Sequence, residues 1–178
     1  MEFDYVIVGG GSAGCVLANR LSADPAVTVC LLEAGGEDRN PWIHVPVGYV
    51  KTMTDPSVNW LFSTEPEAGA SDRRLPIPRG KVLGGSSAIN GMLYVRGQAR
   101  DYDTWSQLGC TGWSFDDVLP YFKKGETCEQ GADDFHGGDG PLNVALPTVR
   151  YPLLDKVVEA GGALGYPTHH DYNGASQA

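Results

Sequence analysis

The sequence predicts an α/β fold that opens on a βαβ unit, and three observations carry that expectation. A short apolar, β-branched run stops at a cluster of glycines, a segment with helical spacing follows, and a second apolar run comes next. Glycine makes up 24 of the 178 residues and is clustered rather than spread. Clustering of this kind marks tight turns, or backbone that must come close to something else.

Residues 3–8 (FDYVIV) read as a buried parallel strand ending at Gly9. Residues 12–21 read as a helix, with Ala13, Val16, Leu17 and Leu21 on one face. Asp24-Pro25 ends it, and residues 27–32 (VTVCLL) form the second strand. Strand, glycine turn, helix and strand make a right-handed crossover. From Gly35 to Gly80 the pattern breaks up, because Pro41, Pro46, Pro56, Pro66, Pro76 and Pro78 interrupt any long regular element. A segment this long without periodicity suits a lid or cover over a ligand.

Helices are expected over residues 100–108 and 114–124. The second has Ser114 as N-cap, Asp116 and Asp117 in its first turn, and Lys123-Lys124 near its end, all favourable to the helix dipole. Asp101, Asp103 and Trp105 read as capping and packing at the start of the first. Residues 141–146 (PLNVAL) suggest a strand, and 151–164 a helix weakened by Gly161-Gly162. Residues 170–178 are polar and aperiodic.

The formal net charge is −9. The acidity deepens toward the C-terminal half with no basic stripe, which argues against a nucleic-acid partner. Cys15, Cys30, Cys110 and Cys128 have no C-x-x-C spacing and are expected as reduced thiols in a cytoplasmic protein, soluble or peripheral at a membrane surface. No stretch reaches the roughly 18 apolar residues of a membrane span.

The glycine cluster holds G-x-G-x-x-G at Gly9, Gly11 and Gly14, between a strand and a helix, with Glu33 placed 19 residues past Gly14 at the end of the next strand. In that setting Gly9 permits the turn, Gly11 lets a pyrophosphate reach the backbone and Gly14 packs helix on strand. The helix N-terminus at Ser12-Ala13 would take the phosphate charge, and Glu33 the adenosine ribose hydroxyls. The dinucleotide is NAD or FAD on this ground alone, and a plain βαβ turn with a surface glutamate is the simpler alternative.

A second glycine-serine turn, Gly84-Gly85-Ser86-Ser87, precedes Asn90-Gly91. Small residues side by side suit a flat ligand, though an ordinary tight turn needs the same residues. The longer pattern resembles a known family. Gly80-Lys81-x-Leu83-Gly84-Gly85-Ser86-Ser87-x-Ile89-Asn90, followed by Tyr94, Gly97 and Asp103, is similar to the first signature of the glucose-methanol-choline (GMC) oxidoreductases. The resemblance extends to DYVIVGGGSAG at the start, LLEAGG at 31–36, NW at 59–60 and HGGDGPL at 136–142, and is nearest to choline-dehydrogenase-like members.

The resemblance implies a Rossmann-like FAD-binding domain and a flavin-dependent oxidation of a primary alcohol to an aldehyde. FAD would have its adenosine near Glu33 and Ala34 and its pyrophosphate at Ser12 and Ala13. Its flavin would lie along Val82, Gly84, Ser87 and Asn90, Gly91, Met92 and Leu93. Some relatives attach FAD through a histidine at the position of Ile89, so non-covalent FAD is expected here.

Relatives carry their catalytic histidine near a distant C-terminus, so no catalytic residue is expected in this chain. His44, His136, His169 and His170 match no such motif, and no metal ligand set is readable. His136 with Asp133, Asp134 and Asp139 imitates a calcium loop but has the spacing of a glycine turn.

The expected organisation is a βαβ unit (1–35), a proline-rich lid (36–79), the signature loop with its helices (80–150) and the start of a substrate region (151–178). The resemblance implies an incomplete fold with unpaired sheet edges, dependent on further polypeptide, and an alcohol as its small-molecule partner. A stand-alone NAD module and a non-catalytic flavin-binding protein are the alternatives.

Overall fold

The computed structural model describes residues 1–147 and 149–175. They fall into two compact units, one spanning Met1–Leu93 and one beginning at Tyr94. The division runs through the expected 80–150 segment, because residues 80–89 are bonded into the first unit and Arg96 into a buried cluster of the second.

In the first unit β1 (Tyr5–Val8) and β2 (Val29–Leu32) pair in parallel, Tyr5 against Val29 through Val8 against Leu32, with α1 (Ser12–Leu21) as the crossover. The second strand starts two residues later than the apolar pattern suggests. Val27 closes a turn onto Asp24, and Thr28 is held by Asp4, whose carboxylate accepts from the Thr28 amide and hydroxyl at 2.8 and 2.7 Å.

The expectation that β1 is buried is corrected. Only Ile7 is buried, while Val6 is 57% and Val8 84% exposed. Two strands cannot enclose their own faces; that takes flanking strands and helices on both sides.

The proline-rich stretch has short elements only: single 3₁₀ turns at Pro41–Ile43, Pro46–Gly48 and Ala68–Ala70, a one-turn α2 (Tyr49–Thr52), and a two-stranded antiparallel pair, β3 (Phe62–Ser63) with β4 (Pro76–Ile77). The core of this unit is small: Val58, Val82 and Ile89, with Ile43 and Ala88 packed against them.

The second unit contains α3 (Ala99–Gln107) and α4 (Phe115–Gly125), joined by a cluster of aromatic rings around Tyr102. Asp101 caps α3 by accepting the Gln98 amide at 2.8 Å, and Asp103 accepts the Phe115 amide at 3.0 Å. Trp105 packs against Tyr102 and Trp113, so Asp101 caps and Trp105 packs as expected, whereas Asp103 serves the first amide of α4 rather than the start of α3. Ser114 caps α4 with Asp117 answering, as its sequence predicts.

β5 (Glu126–Cys128) pairs in parallel with β6 (Leu142–Val144), and α5 (Pro152–Ala163) follows. β6 and α5 lie within the expected ranges, whereas β5 was not expected. Residues 176–178 of the expected polar end lie outside the described residues.

Candidate functional site

The first glycine turn is open on its outer side. Gly9 has φ +102°, a left-handed conformation that glycine adopts without strain. A Cβ on Gly14 would lie 1.9 Å from the Gly9 carbonyl oxygen, so that glycine is required by helix-on-turn packing. A Cβ on Gly11 would meet only the Gly85 Cα, at 3.9 Å, which leaves its outer side open. Gly11 is the N-cap of α1 and brings no capping side chain, and the first turn holds no acidic residue. By contrast α3 and α4 each carry a carboxylate in their first turn. The exposed Ser12 and Ala13 therefore present first-turn amides and the positive end of the helix dipole outward.

Glu33 sits beside this turn and braces it. One carboxylate oxygen accepts the Gly10 amide at 2.7 Å and the other the Gly35 amide at 2.8 Å. Each oxygen keeps a further lone pair for an incoming hydroxyl. Ala34, next in the chain, is exposed.

The signature loop is joined directly to this turn. The Gly84 amide donates to the Gly10 carbonyl at 2.7 Å, and Leu83 donates to the Gly36 carbonyl at 2.8 Å. Gly36 and Val82 form an isolated parallel bridge, which carries the line of β2 onto the loop. A Cβ on Gly85, itself at φ +58°, would lie 2.7 Å from the Gly11 Cα, and one on Gly80 would lie 2.1 Å from the Gly85 carbonyl oxygen. The two motifs form one block of backbone. Its serines hold it together, since Ser86 accepts the Gly80 amide at 3.1 Å and Ser87 donates to the Gly84 carbonyl at 2.5 Å.

Val82 is 1% and Ile89 4% exposed, both in the core, so Val82 can meet a ligand only through its backbone. Gly84 and Ser87 lie at the surface of the block, and Asn90, Gly91, Met92 and Leu93 are exposed beyond it. Asn90 accepts the Met92 amide at 2.9 Å, and Met92 has φ +59°, a strained conformation for a residue with a side chain. An open cleft of about 290 Å³ lies against Gly84, Ser87, Asn90 and Met92, walled by Trp42, His44 and Tyr49 of the proline-rich segment. Those three wall residues escaped sequence reasoning, although their segment reads as a cover. His44 is itself exposed and meets the Asp38 carbonyl at 2.5 Å.

The second unit holds a buried group of charges that no local pattern signals. Arg96 pairs with Glu126 and donates to the Phe135 carbonyl at 2.6 Å. His136 meets Glu126 through Nδ1 at 2.8 Å and Asp171 through Nε2 at 2.9 Å. Burial favours the neutral ring. The hydrogen bonds and negative charges of Glu126 and Asp171 outweigh it, holding the pKa above the usual 6.5.

Asp133 accepts the Phe135 and His136 amides, the turn geometry expected there. Glu126, Cys128 and His136 offer atoms within 4.8 Å of one another. Both Glu126 oxygens and both His136 nitrogens are already engaged, however, and the Arg96 cation sits against Glu126. His169 and His170 are exposed.

A parallel βαβ crossover, an open glycine turn at a helix N-terminus and a carboxylate at the end of β2 define a dinucleotide-binding unit of the α/β class. The GMC oxidoreductase family model matches residues 3–178. The chain belongs to that family and forms its N-terminal, FAD-binding part.

It is 49% identical over 177 residues to an oxygen-dependent choline dehydrogenase of Sinorhizobium fredii, covering 99% of this chain and 32% of that protein. The structure of pyridoxine 4-oxidase from Mesorbium loti superposes with TM-score 0.90 at 40% identity, over 97% of this chain and 34% of the other. An FAD-dependent oxidoreductase of Chaetomium thermophilum matches with TM-score 0.82 at 32% identity, over 98% and 32%. The chain thus spans about a third of the length of the relatives it matches. Among the described residues no helix is long and apolar enough to cross a membrane.

Proposed function

We propose that this chain holds FAD non-covalently for the oxidation of a primary alcohol, choline or a similar compound, to its aldehyde. The observation that carries the reading is the single backbone block made by the phosphate turn and the signature loop, with the Gly11 side left open. Bound FAD would supply the hydride acceptor.

The first-turn amides of Ser12 and Ala13, with Gly9, Gly11 and Gly14 shaping the turn, hold the pyrophosphate. Glu33 and Ala34 receive the adenosine ribose, with Glu33 accepting its hydroxyls. The backbone of Val82 and Gly84, Ser87, and the segment Asn90, Gly91, Met92 and Leu93 face the flavin. The buried Ile89 supports a non-covalent attachment, since it offers no nucleophile and packs against Val58 and Val82. The alcohol assignment is supported by the similarity to oxygen-dependent choline dehydrogenases. A cytoplasmic setting is supported by four free cysteines.

We also propose that the chain depends on further polypeptide of the same protein, which brings the proton-transfer residues. Val8, Val16, Leu17 and Leu32 are each more than half exposed, as are Leu153, Leu154, Val157 and Val158 of α5, and such surface calls for a partner.

The test is visible absorption of the intact protein before and after denaturing filtration. Flavin bands near ~370 and ~450 nm that pass into the filtrate are the expected result. Bands that stay with the denatured protein would overturn non-covalent binding, and no flavin even after reconstitution would overturn the site.

A further inference from the structure

We propose that His136 is held as the imidazolium, donating from both ring nitrogens, and is the latch that fastens residues 171–173 to β5. Each ring nitrogen faces a carboxylate oxygen, Nδ1 to Glu126 at 2.8 Å and Nε2 to Asp171 at 2.9 Å. A neutral imidazole has one N–H and would turn a lone pair toward the second carboxylate. Both contacts are bonding only when the ring carries two protons. The cluster then balances, with Arg96 and His136 positive and Glu126 and Asp171 negative.

The two contacts are unequal. The Glu126 side chain is fully buried and paired to Arg96, so it cannot turn away to water. The Asp171 side chain is 37% exposed and can be solvated. Loss of the ring proton therefore breaks the Asp171 contact and leaves Glu126 in place.

Asp171 also accepts the Asn173 amide at 2.9 Å, and Asn173 bonds back to the chain at Tyr94 and Arg96. Its Oδ1 accepts the Arg96 amide at 2.8 Å and its Nδ2 donates to the Tyr94 carbonyl at 3.0 Å. Release of Asp171 loosens the whole segment and uncovers residues 94–96. Other groups near the ring are Asp133, which accepts the His136 amide, Lys123, bonded to the Asp133 and Asp134 carbonyls, and the Cys128 thiol.

The sign follows from the raised pKa. The latch contributes its full stabilisation below the unfolded-state value of 6.5 and loses it as pH rises through the folded-state value above that. Residues 171–173 are thus fastened below pH 6.5 and released as pH rises through the higher folded-state value.

The test is hydrogen exchange on the intact FAD-bound protein between about pH 6 and pH 9, corrected for intrinsic rates. Peptides covering 94–97 and 171–174 should lose protection roughly tenfold as pH rises, while peptides within α4 hold theirs. Asp171→Asn should shift the loss to lower pH, and His136→Gln should remove its pH dependence. If the His136 variant does not fold, Asp171→Asn, at a partly exposed position, carries the test. Unchanged protection of both peptides in the wild type would overturn the latch. So would a His136 ring that titrates at or below the ordinary value of 6.5 in the NMR spectrum of protein labelled at the histidine ring carbons.

Discussion

Gly14 and Gly85 are required by backbone, while Gly91 is not. An added Cβ meets the Gly9 carbonyl at 1.9 Å in the first case and the Gly11 Cα at 2.7 Å in the second, whereas nothing lies within 4 Å at Gly91. Gly14→Ala and Gly85→Ala should each weaken flavin retention about tenfold or more and destabilise the protein by roughly 2 kcal/mol. Gly91→Ala should leave stability nearly unchanged; equilibrium dialysis and chemical denaturation check all three. The spacing of Gly9, Gly11, Gly14 and Glu33 was legible because strand, helix and acid surround it in a short stretch. Spacing did not reveal that Gly85 serves contact between two loops, since that contact exists only once both turns are folded. Arg96, Glu126, His136 and Asp171 were illegible as a set for the same reason, being brought together across up to 75 positions of sequence.

Elements whose cause is local were read well. α1 and α4 form where apolar spacing and capping place them, and Ser114 accepts the Asp117 amide while Asp117 accepts that of Ser114. Ser114→Ala should cost about 1 kcal/mol, seen as a lowered midpoint in chemical denaturation. β5 was missed because it opens on Glu126, a charged residue that sequence patterning assigns to solvent. Its burial is tolerated because Arg96 and His136 complete its hydrogen bonds. The strand pairing of β1 with β2 was legible, but the burial of their faces was not a property of these two strands alone.

The exposed area of the molecule is large. Two compact units of this mass would together expose about 10,000 Å², and the chain exposes 13087 Å². Expressed alone, the 178-residue chain should bind a hydrophobic dye strongly and self-associate on gel filtration. The longer polypeptide should do neither, and a monomeric short chain that excludes the dye would argue against the proposed dependence. The acidic balance and the thiol count were legible at this scale, but the place where the two units divide was not. It follows from which bonds the backbone on either side of residues 93 and 94 makes, and no linker-like composition marks the place.

The buried position of Ile89 bears on how such a protein could be re-engineered. Installing a permanent tether to the prosthetic group at that position would require an imidazole where Val58 and Val82 now meet the isoleucine. The new ring would begin inside the oily centre of the unit with its nitrogens unsolvated. A tethered version would therefore need compensating changes at Val58 and Val82, making the permanence of the cofactor and the composition of the interior a single design problem.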